Sequence, residues 1–505
     1  MDEMLRTRIH VAEVAADASF LRYYQELIND EAMLSDIGDE RWANAGVSLI
    51  DLDQLHDFEV GIDFGQFLAD LRRQRVIDLQ TFFELRELKR PAQVTARDMR
   101  AAGHDAQAIR WPAGGDVLAR ARRRRLDTYS GYINVPGSQA QLAEVVDSQF
   151  TDERIFSFAT TFTEARPSLL HFQLRNLVFP LSKACTLYSD KTTVKRLNAD
   201  DGTIATVFSQ QKCKTSFGRS LKISTIAAAG QHLIVGGLLG QFAYKRLDSV
   251  DTLAPQAEGM ITFDVNGITN HADIVAQTRS GGVAAVFSSN DRYLRTLDLA
   301  SATFVASHAF DFAINCTAAS PGGKRRLVVG DALDTLVIDA DSGRTLATLA
   351  GHKDYSFACA WSPDDRLLAT GNQDKTCRIY DARNLSTPLH VVGAQLGAVR
   401  SLKFNHSGAF LALAEPIDYV HVIDTRTVGQ RGQLLEFWGG VAGVGFCGSD
   451  DDDSLWVGNS DPLVGGLMRF TRNARTRGRS LAMHPEDAAM PHTQDRPYLV
   501  EDVVL

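Results

Sequence analysis

The sequence predicts an all-β propeller of seven four-stranded blades behind a mainly α-helical N-terminal region. Three observations predict it: a unit of short strand-like runs, a near-constant spacing of the ends of such units, and a different texture over residues 1–150. The clearest unit is GHKDYSFACAWSPDDRLLATGNQDKTCRIYDAR, residues 351–383. Within it SFACAWS, LLATGN and TCRIYD are strand-like runs separated by the turn chemistry of SPDDR and QDK, and PLHVVGAQ follows ARNLST as a fourth. Four strands make one propeller blade.

The third run of successive units ends in an apolar residue and Asp: RTLD at Asp298, LVID at Asp339, RIYD at Asp381 and HVID at Asp424, spaced by 41, 42 and 43 residues. Going backwards, YKRLD ends at Asp248 and VKRLN at Asn198, each 50 residues from the next, which adds a longer loop per unit. Going forwards, GLMRF ends at Phe470, so seven units run from about 172 to 473. A ring of blades must close, because an open sheet edge invites pairing with other chains. The run RIFSFATTF, 154–162, is expected to supply the outer strand of the last blade. The domain division is then a helical N-terminal region over 1–100, an extended and helical lead-in arm over 101–165, the seven blades over 166–473, and a C-terminal tail, expected to be flexible, over 474–505.

In period and in its apolar-Asp endings the repeat resembles the WD-repeat (WD40) family. The resemblance is closest over 351–383, with Gly-His, an apolar strand, Ser-Pro-Asp, Leu-Ala-Thr-Gly and Asp-x-Thr, closing on Tyr-Asp where the family has Trp-Asp. It implies a seven-bladed WD-repeat propeller in which His352, Thr370, Asp374 and Tyr380 form a hydrogen-bonded tetrad tying the loop before the blade to its strands. Such groups must pair, since a buried unpaired donor or acceptor costs about 1–3 kcal/mol. Tyr380 puts a hydroxyl where the family has a ring N–H, and the other units lack Gly-His. Three further segments, GHDAQAIRWP (103–112), LDTYSGYINVPGS (126–138) and LHFQLRNLVF (170–179), resemble in this order the lead-in of a largely uncharacterised group of WD-repeat proteins from plants and fungi. Tyr129, Tyr132, Ile133 and Pro136 are expected to anchor an extended arm on the propeller.

Val11, Val14, Ala18, Leu21, Tyr24 and Ile28 follow helical steps, as do Phe67 and Leu71, then Val76, Leu79 and Phe83, with Pro91 ending the pattern. Hydrophobic residues are 44% and charged residues 23%, ordinary globular usage without a membrane-length apolar run. The start MDEMLRTRIH lacks the apolar core of a signal peptide, so an intracellular protein, cytoplasmic or nuclear, is expected. Six scattered cysteines without CxxC disfavour a disulfide frame or zinc site and read as small core residues. A net charge of −9 argues against coating nucleic acid.

Candidate sites are few. The run of Arg120 and Arg122, Arg123, Arg124 and Arg125 reads as a solvated helical face, with nuclear import or RNA contact as alternatives. Asp450–Asp453 reads as a solvated turn, lacking the ligand pattern of a calcium loop. Arg383 and Arg426 each stand two residues after a blade-ending Asp. Consecutive Asp-x-Arg endings resemble those of WD-repeat substrate receptors of cullin-RING ubiquitin ligases, where the Arg contacts the adaptor; neither ending here carries the family Trp. Phosphate-loop, HExxH and GxSxG motifs are lacking. The expectation is a non-catalytic scaffold for protein partners, without cofactor or metal, with the ligase receptor as the alternative.

Overall fold

The computed structural model describes residues 63–112, 116–138, 151–152, 154–209, 220–249, 253–264, 266–276, 281–427, 431–448 and 453–473. Blade one pairs Val178–Ser182, Cys185–Asp190, Thr193–Asn198 and Ile204–Ser209 in sequence order, inner strand to outer. Blades two to five repeat that antiparallel order over 223–260, 269–309, 314–349 and 356–393. Blades six and seven share one long strand, Arg431–Cys447. Its first half pairs with Ile417–Asp424 as the outer strand of blade six, and its second half pairs with Ser454–Asn459 as the inner strand of blade seven. The crossing requires Gly439, which sits at φ +110 with its would-be Cβ 2.6 Å from the Asp461 side chain. Third strands end at Asn198, Asp298, Asp339, Asp381 and Asp424, as the repeat spacing predicts; in blade two the strand stops at Arg246, two residues before Asp248.

The seven inner strands pack in succession, and the last returns to the first, so the ring is closed. The outer strand of blade seven is Phe156–Phe162, antiparallel to Gly466–Arg472 with Phe162 opposite Leu467. Buried Gln433 holds its start, accepting from the N–H groups of Ile155 and Phe156 at 2.9 and 2.7 Å and donating to the Phe156 carbonyl at 2.8 Å. Blades adhere through apolar layers such as Leu187, Val194, Phe208, Ile226 and Val235 between blades one and two. Each such side chain contributes about 1.5–3 kcal/mol by leaving water. Polar rivets reinforce the inner rim. Side chains at bulges near the starts of inner strands reach the next blade's backbone: Ser224 to the Thr269 carbonyl at 2.6 Å, Asn270 to Ile314 at 3.0 Å and Asn315 to Ser356 at 3.2 Å.

Four helices precede the ring among the described residues: α1 (Phe64–Arg73), α2 (Leu79–Arg86), α3 (Ala96–Ala102) and α4 (Val117–Thr128). Asp63 and Asp78 cap α1 and α2, and Thr95 with Asp98 forms a capping box on α3. The expected Val76, Leu79, Phe83 stripe is corrected. The chain breaks between α1 and α2, Arg75 taking φ +58, and α2 restarts with Phe82 and Leu85 inward while Leu79 and Phe83 face solvent. The helical pattern at Val11–Ile28 and the tail 474–505 lie outside the described residues.

Candidate functional site

A propeller has two faces, and here they differ. One carries the links between blades and the turns joining second to third strands. The arm lies on that face over blades five to seven. Phe64, Phe67 and Trp111 surround Trp438 with ring centroids 5.4, 5.4 and 5.3 Å from it, and the Arg122 guanidinium stacks 3.7 Å above the same indole. Gln107 donates to the carbonyls of Trp438 and Val464 at 2.7 and 2.9 Å and accepts from the Trp438 N–H at 2.6 Å. Arg125, fully buried, meets Asp418 at 2.7 Å, and that carboxylate also accepts from the Gly439 N–H at 2.6 Å. Asp418 reaches both partners from a left-handed backbone at φ +65.

Further along, Asp354 gathers the arm. It accepts from the backbone N–H groups of Asn134 and Val135 at 3.2 Å each, from the Asn134 amide at 2.9 Å and from the Ser138 hydroxyl at 2.8 Å. Tyr129 packs on Leu396, Ile417 and Tyr419, and Tyr132 sits edge-on to Phe172. Ile133 is exposed, so Asn134 and Ser138 do the anchoring expected of it. The basic run is not a uniform solvated face: Arg122, Arg124 and Arg125 are tied to Phe437, Asp70 and Asp418, while Arg120 pairs locally with Asp116 and Arg123 is exposed.

Three of the four tetrad positions in blade five meet. His352 Nδ1 lies 3.0 Å from Asp374 Oδ2, and its Nε2 lies 2.8 Å from the Thr370 hydroxyl. The Thr376 hydroxyl donates to Asp374 at 2.6 Å and fills the fourth polar place. Tyr380 instead packs its ring with Cys359, Trp361 and Leu368, with Arg378 beside its hydroxyl. Burial alone would raise the Asp374 carboxyl, but hydrogen bonds from His352, Thr376 and the Lys353 N–H hold it below its ordinary value. Blade six satisfies its loop differently. Glu415 accepts from the N–H groups of Gln395, Leu396 and Gly397 and meets His421 at 2.7 Å.

The opposite face carries the turns joining inner to second and third to outer strands. Arg383 and Arg426 stand there on adjacent blades, each gripping its own blade-ending carboxylate with two nitrogens: Arg383 to Asp381 at 2.9 and 2.6 Å, Arg426 to Asp424 at 2.8 and 2.6 Å. The Arg383 hydrogen bonds hold Asp381 down at about 2. The Arg383 side chain is 81% exposed; Arg426 is half-exposed and lies over the Phe410 ring. Of the acidic run, Asp453 is buried and accepts from Asn405 at 2.6 Å, correcting the solvated reading for that residue; Asp450, Asp451 and Asp452 lie outside the described residues.

The central channel joins the faces unequally. Residues 170–175 lie across its mouth on the arm side, with Leu174 packed on Leu238 and Ile268 and the Phe172 carbonyl accepting from Arg400 at 2.6 Å. Beneath them is a void of about 30 Å³, and beyond it a cavity of about 540 Å³ lined by turns of the other face, including Pro321 and Pro363. His271, Cys359 and Lys403 border both spaces, and Cys316 borders the inner one. Among the described residues no three His, Cys, Asp or Glu side chains are arranged to hold a metal ion, and no helix is long and apolar enough to cross a membrane.

A family model described as WD domain, G-beta repeat, matches residues 343–381, from the outer strand of blade four to the end of the third strand of blade five. The chain is a WD-repeat protein. It is 24% identical over 327 residues to an uncharacterized protein of Schizosaccharomyces pombe, covering 59% of this chain and 88% of that one. Coronin-7 of Rattus norvegicus is 43% identical over 51 residues, 10% of this chain and 6% of that protein. A Schizosaccharomyces pombe protein named diphthine methyltransferase is 26% identical over 186 residues, 35% of this chain and 55% of that one.

In this WD-repeat propeller the channel cluster is what sequence reading missed. His271, Cys316, Cys359 and Lys403 come from the inner strands of blades three, four, five and six, spaced by 45, 43 and 44 residues. The blade period itself was the signal, because a ring places the same stretch of each repeat around one axis.

Proposed function

We propose that this WD-repeat protein is a non-catalytic interaction scaffold, working inside the cell, that takes its protein partner on the face opposite the arm. The asymmetry of the two faces carries this reading. Over blades five to seven the arm has consumed the polar and aromatic groups of one face, whereas the other presents two exposed arginines on adjacent blades. Arg suits such a contact, being planar, multidentate and always charged. Arg383 is paired with a carboxylate that touches solvent, so its guanidinium can turn to a partner at little cost, whereas Arg426 holds the buried Asp424 and would leave that charge unpaired if it turned away. The basic run, largely engaged in docking α4, offers little to an import receptor or RNA.

Affinity purification from the native cell, followed by cross-linking and mass spectrometry, tests this. Cross-links concentrated on 320–324, 363–366 and 381–389 support it; cross-links confined to the arm overturn it. A second reading, the substrate receptor of a cullin-RING ubiquitin ligase, is favoured by the two consecutive Asp-x-Arg endings. It expects a ligase adaptor and cullin among the captured proteins, both lost on Arg383→Ala with Arg426→Ala. Capture of neither by the wild type removes it.

A further inference from the structure

Cys316 and Cys359 belong to the same apolar layer between blades four and five, on inner strands that are neighbours in the ring. Both keep a few per cent of exposure, Cys316 8% and Cys359 6%, at the inner void of the channel. Neither thiol is firmly held elsewhere: Cys316 Sγ has only a 3.9 Å contact to the Thr317 carbonyl, and Cys359 Sγ a 4.0 Å contact to the Leu327 carbonyl. Both thiols are free and line the same inner void. Next to Cys316 stands His271, more than nine-tenths buried, whose Nδ1 has no hydrogen-bond partner among the described residues. Lys403 faces the pair from blade six.

We propose that Cys316 and Cys359 form an oxidisable dithiol at the closed end of the channel, which hydrogen peroxide converts to a disulfide joining blades four and five. The hydrogen bond from Cys359, with His271 and Lys403 nearby, holds the Cys316 thiol well below the usual thiol range, while burial and that same bond push Cys359 up. The pair therefore gives up one proton readily and the second reluctantly, which makes Cys316 the attacking sulfur. Its thiolate attacks one peroxide oxygen: an S–O bond forms, the O–O bond breaks, and the departing hydroxide takes up a proton as water. Cys359 then attacks the Cys316 sulfenic sulfur. The S–S bond forms, the S–O bond breaks, and the oxygen leaves as a second water with the Cys359 proton. Two electrons from two thiols thus reduce one peroxide to two waters. The inner void admits a molecule little larger than water, so hydrogen peroxide is preferred to bulky organic hydroperoxides.

The test treats the reduced full-length protein with hydrogen peroxide or cumene hydroperoxide, alkylates rapidly and maps peptides by mass spectrometry. The expected result is a cross-linked peptide pair containing Cys316 and Cys359, formed at least about fivefold faster than in denatured protein and slowed by a similar factor in His271→Asn. Cumene hydroperoxide should form it more slowly. Cys185 and Cys447, whose thiols burial pushes up, serve as internal comparison and should react later. When the peroxide-treated protein is unfolded in the presence of dimedone, Cys359→Ser should carry an adduct on Cys316, and in Cys316→Ser Cys359 should stay unlabelled. Absence of the Cys316–Cys359 link in wild-type protein, or a link between Cys185 and Cys447 in its place, overturns the proposal. It stands apart from the scaffold reading, since neither result depends on a protein partner.

Discussion

Two Arg–Asp pairs in this molecule have nearly the same geometry and opposite circumstances. Arg125 and Asp418 meet at 2.7 Å beneath the arm with side chains 1% and 0% exposed, whereas Arg383 and Asp381 meet at 2.6 Å on the far face with side chains 81% and 19% exposed. The first pair is locked by further contacts, the Gly439 N–H on the carboxylate and the Phe67 ring 4.6 Å from the guanidinium. The second is surrounded by water. Distance therefore says little about commitment. A buried pair cannot part without leaving a desolvated charge, while an exposed one exchanges its partner for solvent or another protein.

The comparison can be broken first at its buried end. Arg125→Ala should lower stability by about 3–5 kcal/mol, read as a reduced urea midpoint, because Asp418 is left charged and buried; an unchanged midpoint would mean that the arm does not depend on this pair. Gln107→Ala removes the amide that satisfies Trp438 and Val464 and should cost about 2–3 kcal/mol by the same measurement. Acid sharpens the picture in blade five. With its folded pKa depressed, Asp374 adds stability above the ordinary carboxylate range, and that contribution is lost as pH falls through the lowered folded value, below about pH 4. Asp374→Asn should flatten the loss of stability below about pH 4. Arg383→Ala comes last: its midpoint should match the wild type, while capture of the partner weakens. A shifted midpoint would make it a structural residue like Arg125.

The repeat was legible because blades must each supply strands of similar length joined by tight turns, and the endings at Asp298, Asp339, Asp381 and Asp424 mark them. Within blade five, His352, Thr370 and Asp374 were legible as well, since they belong to one local unit. Tyr380 was less so, because a phenol in place of an indole leaves its ring in the apolar layer and gives Thr376 the polar role. The arm hid its contacts for a different reason. Gln107 and Trp438 are brought together only by tertiary folding, and the arginines around Ala121 have the same composition whether they face water or Trp438. The channel cluster was hidden because position in the ring, rather than residue type, unites His271, Cys316, Cys359 and Lys403.

The closing strand has a temporal consequence. Ser157 donates its hydroxyl to Asn473, 316 positions away. At ordinary rates of synthesis, roughly 300 residues separate the emergence of the strand from that of its partner by on the order of 15–60 s. Throughout that interval Phe156, Phe158 and Phe162, buried in the finished ring, have only the three-residue strand Gln93–Thr95 beside them and no blade to join. The nascent protein is thus an open arc carrying a sticky edge, and a chain stopped before Gly466 should display 154–162 as a protease-sensitive segment. Completing the last blade is then the step that ends the protein's period of risk during synthesis.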